Sequence, residues 1–167
     1  HNAVNAILRS PGIHAISFVG SVATARHVYR ACGESGKRVQ ALGGAKNYMV
    51  VMPDAMIEKT IANILGSAFG NAGQRCMAGS VVVTVGEARA AILERLKAEA
   101  GKLSVGDGAN PTTAMGPVIS RVACERATAA VEQGVSDGAK LLLDGRRPAK
   151  VNPDGYFMGP TILDHVT

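Results

Sequence analysis

The chain has 167 residues, enough for one ordinary domain with a core of its own. Apolar residues make up 47% and charged residues 19%, a balance that argues against a disordered chain. With no Trp and 4% aromatics, a base-stacking nucleic-acid surface is disfavoured, and the net charge of +5 is scattered, its densest group (Arg146-Arg147 with Lys150) reading as a solvated loop.

In chain order, residues 3–9 read as the end of a helix stopped by Ser10-Pro11-Gly12. Residues 13–19 alternate and are rich in β-branched side chains, predicting a strand that runs into Gly20-Ser21. A helix is predicted over 22–34, a strand over 37–42 ending at Gly43-Gly44, and a short apolar strand over 48–52. Pro53-Asp54 stops it, with Asp54 as the expected N-cap of the next helix. That helix carries Ile57, Ile61, Ile64, Leu65 and Ala68 on one face and dissolves into Gly70-Asn71-Ala72-Gly73. Beyond Cys76 and Gly79, a strand is predicted over 80–85 and a helix over 87–101 with Ile92, Leu93, Leu96 and Ala100 inward. A Gly/Pro-rich loop fills 104–117, a helix with Ser120 as N-cap covers 120–136, a strand covers 141–143, and 144–160 is loop. This alternation predicts an α/β fold, a mostly parallel sheet flanked by helices.

Cys32, Cys76 and Cys124 are odd in number and unpaired in spacing, which argues for a reducing compartment rather than a disulfide framework. There is no CxxC or HExxH, and the four histidines do not cluster with carboxylates, so no metal site is expected. No apolar run has the length of a membrane span, and no membrane or nucleic-acid partner is expected. The chain opens on His1-Asn2, without Met, basic n-region or cleavage site, and is expected to be cut from something longer.

Three segments could carry chemistry. Cys76 lies in Gly73-Gln74-Arg75-Cys76, between an amphipathic helix and a strand, among Gly70, Gly73 and Gly79. A reactive thiol needs thiolate character, access and room for substrate; Arg75 would favour the thiolate, and the Cys76 N–H could hold an oxyanion. The competing reading is a buried structural cysteine, which Cys32 and Cys124, inside predicted helices, fit better. Phe18-Val19-Gly20-Ser21, at a strand-to-helix junction, offers free N–H groups and a dipole end to a phosphate, or is simply a tight turn. Leu42-Gly43-Gly44-Ala45-Lys46-Asn47 permits a sharp turn or close contact with a ligand.

Taken together and in this order, these segments, with Gly159-Pro160-Thr161, resemble the aldehyde dehydrogenase superfamily over essentially the whole chain. The runs Gly36–Ala41, Gly44–Asn47, Val50–Ala55 and Ala72–Ala78 are most similar to its CoA-acylating branch, which acts on malonate and methylmalonate semialdehydes. The resemblance implies a fold of the family's catalytic-domain type. Residues 1–44 would be the C-terminal part of an NAD-binding domain, and residues 45–167 a thiol-bearing catalytic domain incomplete at its C-terminus. It also implies that Cys76 attacks the aldehyde, that hydride passes to NAD, and that a thioester forms on Cys76. Ala41 stands where most of the superfamily has a water-activating Glu, and a methyl group cannot act as a base, which fits transfer of the acyl group to coenzyme A. Arg75 would hold the substrate carboxylate, with decarboxylation giving propionyl-CoA or acetyl-CoA. Ser21 and Gly20 would lie against the NAD pyrophosphate, and Leu42 and Gly43 against its nicotinamide end. Ala25 replaces a glycine that many relatives carry at the helix start.

The same resemblance implies a homo-oligomer, a dimer or tetramer in the complete enzyme, and an inactive isolated fragment. The Ala/Gly/Arg-rich composition points to a bacterial cytoplasm, although relatives in this branch can be mitochondrial. Two other readings stand beside this one: a hydrolytic aldehyde dehydrogenase giving a free acid, and a non-catalytic scaffold or oligomerisation fragment.

Overall fold

The computed structural model describes residues 2–166. They divide into two compact units, His1–Ala45 and Lys46–Thr167.

The first unit runs α1 (Asn2–Arg9), β1 (Ala15–Gly20), α2 (Val22–Glu34) and β2 (Arg38–Gly43). β1 and β2 pair in parallel, from Ala15 opposite Arg38 to Gly20 opposite Gly43, with α2 as the crossover. Ser21 starts α2 as a side-chain N-cap, accepting from the Thr24 N–H. Ala25, Val28 and Cys32 recur at helical spacing and are buried. Val28 and Cys32 join Leu8 in a small core, packed by Ile16, Phe18, Ala31 and Val39. Cys32 is 0% exposed, so it is the core thiol its helical setting suggests. Lys37 caps the far end, its Nζ donating to the carbonyls of Ser10 and Ile13 at 2.6 Å.

The second unit opens with β3 (Asn47–Val51), α3 (Ile57–Phe69), a 3-10 turn (Gly70–Gly73) and β4 (Gly79–Thr84). It continues through α4 (Ala88–Ala100), α5 (Arg121–Ser136), β5 (Lys140–Leu143) and β6 (Ile162–Asp164). β3 and β4 pair in parallel across α3. One face of this pair meets the helices: Val51, Ile61, Ile64, Ala88, Ile92 and Leu96 form the main core, with Met49 and Val82 packed against it. The register slips between Asn47 and Tyr48, whose partners are Gly79 and Val81, so Ser80 is an extra residue at the start of β4. β5 and β6 are antiparallel.

The α/β architecture with mostly parallel pairing is as the sequence predicts, and most boundaries fall within one or two residues. Asp54 is the exception. Pro53-Asp54 belong to a turn closed by the Ala55 N–H on the Met52 carbonyl, which delays the helix until Ile57. Met56 occupies the N-cap position and makes no side-chain cap bond. β6 carries no strand-like alternation of its own and is defined by its pairing with β5.

Among the described residues, no helix is long and apolar enough to cross a membrane. No group of three His, Cys, Asp or Glu side chains among them could hold a metal ion.

After β5, Arg146 grips Asp144 through Nε (2.9 Å) and Nη2 (2.6 Å). That side-chain hydrogen bonding holds the Asp144 carboxyl at about 2, down from 3.8. Because the folded value is depressed, the stabilisation from this exposed pair is present above the unfolded value of about 3.9 and is lost as pH falls through the folded one. Arg146→Ala is expected to return the Asp144 midpoint, read by carboxyl carbon NMR, from about 2 towards 3.8.

Candidate active site

In the first unit the structure brings Gly20, Ser21, Leu42 and Gly43 together at the ends of β1 and β2, with Val19 opposite Leu42 and Gly20 opposite Gly43. The Ser21 hydroxyl accepts from the Thr24 N–H at 3.3 Å and meets the Thr24 hydroxyl at 2.8 Å. The Ala25 N–H bonds to the Ser21 carbonyl, while the Val22 and Ala23 N–H groups at the helix start have no partner among the described residues. A Cβ on Gly43 would lie 3.0 Å from the Val22 Cα and 3.1 Å from both the Ala25 Cβ and the Gly20 carbonyl oxygen. The end of β2 therefore needs glycine in order to pass over the start of α2. Gly44 has φ +75, the left-handed conformation that suits glycine. Small residues, two open N–H groups and a helix N-terminus fit an anionic, phosphate-bearing group.

In the second unit Cys76 is exposed, which distinguishes it from buried Cys32 and half-buried Cys124. It occupies a turn closed by the Ala78 N–H on the Arg75 carbonyl at 3.1 Å. The turn is held from four directions. Asn47, at the start of β3, donates from Nδ2 to the Cys76 carbonyl at 2.8 Å and the Ala78 carbonyl at 3.0 Å. Ser67 of α3 accepts from the Gly79 N–H at 3.0 Å. Arg75 folds back so that Nη2 meets the carbonyls of Gly66 and Ser67, the latter at 3.0 Å. Gln74 reaches the segment before α5, accepting from the Ile119 N–H at 2.8 Å and donating to the Pro117 carbonyl at 3.3 Å. The N–H groups of Cys76 and Met77 have no partner among the described residues. They are the backbone donors left for an oxyanion.

The approach to the turn is strained. Asn71 and Ala72 have φ of 54 and 52, and Gly73 has φ of 70. Asn and Gly tolerate this region, whereas Ala72 costs about 1–2 kcal/mol there. Gln74 offsets part of that strain by bonding back to the Asn71 carbonyl from its backbone N–H (3.0 Å) and side-chain amide (3.3 Å).

The glycines around Cys76 answer to internal packing. A Cβ on Gly79 would lie 2.6 Å from the Met49 methyl, one on Gly70 would lie 3.0 Å from Arg75 Nη2, and Gly73 needs positive φ. Arg75 stands beside Cys76 as the sequence requires, but one guanidinium nitrogen is committed to the end of α3. Its Nη1 and Nε have no partner among the described residues. Arg75 lines a groove of about 340 Å³ shared with Ala62, Asn63 and Met77. Asn47 and Gln74 lie within runs that stand out in the sequence, but their roles depend on bonds spanning 29 and 45 positions. No local pattern carries that information.

The aldehyde dehydrogenase family model matches residues 1–167, and the chain belongs to that family. It is 52% identical over 164 residues to malonate-semialdehyde dehydrogenase 1 of Oceanobacillus iheyensis, covering 98% of this chain and 34% of that protein. It is 49% identical over 166 residues to malonate-semialdehyde dehydrogenase 2 of Geobacillus thermodenitrificans, again covering 34% of the relative. Among solved structures, a methylmalonate-semialdehyde dehydrogenase from Oceanimonas doudoroffii superposes with a TM-score of 0.93 at 42% identity, over 99% of this chain and 34% of that one. An aldehyde dehydrogenase from Bacillus cereus in complex with NAD superposes with a TM-score of 0.89 at 31% identity, over 99% of this chain and 33% of that one. The chain thus spans about a third of the length of the relatives it matches.

Gln74→Ala should release the Pro117–Ile119 segment from the cysteine turn. The expected result is faster amide exchange at Ile119 and a stability loss of about 1–2 kcal/mol in denaturant unfolding. Unchanged exchange at Ile119 would show that Gln74 does not hold the segment.

Proposed function

We propose that the polypeptide carrying these residues is an NAD-dependent, CoA-acylating dehydrogenase of malonate or methylmalonate semialdehyde, with Cys76 as nucleophile. The observation that carries this reading is the exposed Cys76 thiol on a turn whose backbone is clamped while its own N–H stays open. The names of the relatives at about half identity support the substrate class.

In this reading residues 1–44 serve the nucleotide and residues 45–167 carry the thiol. The Val22 and Ala23 N–H groups and Ser21 would hold the pyrophosphate, beside Gly20, and Gly43 with Leu42 would lie towards the nicotinamide. NAD, when bound, supplies the hydride acceptor. Cys76 adds its sulfur to the aldehyde carbon, and the Cys76 N–H steadies the resulting oxyanion. Loss of hydride leaves the acyl group as a thioester on Cys76. Ala41, on β2 opposite Phe18, offers no base to activate water. The thioester then persists until the thiol of coenzyme A takes the acyl group, breaking its bond to the Cys76 sulfur, which takes up the proton that the attacking thiol gives up. The substrate carboxylate leaves as carbon dioxide, and the carbon that carried it takes a proton from water.

Arg75 suits that carboxylate because its Nη1 and Nε remain open while Nη2 anchors it to α3. A guanidinium fixed in this way loses less side-chain freedom when one of its open N–H groups donates a charge-assisted hydrogen bond to a carboxylate. In the full-length polypeptide supplied with NAD and coenzyme A, malonate semialdehyde is expected to yield an acyl-CoA. Arg75→Ala is expected to lower kcat/KM for carboxylated relative to plain aldehydes by about tenfold or more. A free acid as the main product, or an unchanged ratio, would contradict the reading.

A further inference from the structure

We propose that Asn47 is a positioning residue for Cys76, locking the Cys76–Met77 peptide plane by hydrogen-bonding the carbonyls of Cys76 and Ala78 with its side-chain amide. The proposal rests on the reading of Cys76 as nucleophile and adds to it a residue 29 positions away.

Both N–H bonds of the Asn47 amide are committed, at 2.8 Å to the Cys76 carbonyl and 3.0 Å to the Ala78 carbonyl. The two acceptors lie on either side of Met77: the Cys76 carbonyl belongs to the Cys76–Met77 peptide and the Ala78 carbonyl to the Ala78–Gly79 peptide, so one amide ties the central peptide of the turn to the residue that closes it. A trans peptide is planar, and its carbonyl and N–H point in opposite directions. Fixing the Cys76 carbonyl towards Asn47 therefore fixes the Met77 N–H away from Asn47. That N–H has no partner among the described residues. Turns of four residues readily rotate their central peptide, because two turn types differ mainly in its orientation. The Ala78–Arg75 hydrogen bond closes the turn and leaves that rotation undecided. Asn47 decides it, and it does so from a fixed base. It is the first residue of β3, paired with Gly79, at the point where the extra residue Ser80 offsets the register. Hydrogen bonding to a carbonyl also polarises the N–H of the same peptide, making the Met77 N–H a stronger donor to negative charge on the turn.

The test compares wild-type chain with Asn47→Asp and Asn47→Ala. Asp keeps the shape and removes both donors; Ala removes the side chain. Iodoacetamide labelling near neutral pH, read peptide by peptide, gives the rate at Cys76 with Cys124 as internal control. A 13C label at the Cys76 carbonyl reports its hydrogen bond. The expected result is a fall of roughly fivefold or more in the Cys76 rate in both variants. An upfield shift of the Cys76 carbonyl carbon is expected with it, while the Cys124 rate stays at its wild-type value. An unchanged or raised Cys76 rate, or parallel losses at Cys76 and Cys124, overturns the proposal and leaves the nucleophile reading standing. A wild-type Cys76 no faster than Cys124 overturns both. If neither variant folds, the wild-type chain still decides: a scalar coupling across the hydrogen bond from Asn47 Nδ2 to the Cys76 carbonyl carbon supports the lock, and its absence overturns it.

Discussion

Parallel pairing of β3 with β4 puts Asn47 beside Gly79, and the presentation of Cys76 follows from that juxtaposition. The pair is stabilised by its buried face, where Val51, Ile61, Ile64, Ala88, Ile92 and Leu96 exclude water. The hydrophobic side therefore fixes the register, and the register fixes which polar side chain meets the turn at the other end of the strand. Cys76 gains a rigid frame without being buried. Its carbonyl is used, its N–H is not, and its side chain stays open to solvent.

The first unit follows the same logic on a smaller scale. Leu8, Val28 and Cys32 seat α2 on β1 and β2, and the close approach of Gly43 to Val22 and Ala25 sets where the β2 end crosses the helix start. The outcome is a helix N-terminus with open N–H groups, framed by residues too small to obstruct a ligand. In both units, packing leaves specific backbone donors without a partner among the described residues: the Val22 and Ala23 N–H groups in one, the Cys76 and Met77 N–H groups in the other.

Much of this was legible in the sequence. Periodicity finds α3 and α4, whose buried residues recur at helical spacing, end signals find α2 (Ser35-Gly36) and α5 (the Ser120 N-cap), and β1 to β4 each end at glycine, proline or a polar turn. Asp54 misleads because it is chemically a good cap, yet the Pro53 turn intervenes before the chain can enter a helix. Cys76 stands out through its glycine-rich setting, and those glycines lie against Met49 and Arg75 or take the left-handed backbone, contacts that the sequence does not show. The residues that hold the turn, Asn47, Ser67 and Gln74, act through bonds that exist only once the strands have paired and α3 has docked. A one-dimensional pattern shows which residues are present at the site, and the tertiary register shows what they do there.

The central claim is that Cys76 carries the acyl group, and the most direct measurement is to trap it. The full-length polypeptide would be incubated with malonate semialdehyde and NAD in the absence of coenzyme A, quenched in acid, and digested for mass spectrometry. The account predicts an acyl mass addition on the peptide containing Cys76, lost on adding coenzyme A and missing from the Cys76→Ser variant. An adduct on Cys32 or Cys124, or hydride transfer with Cys76 unmodified throughout turnover and no effect of Cys76→Ser, would contradict it.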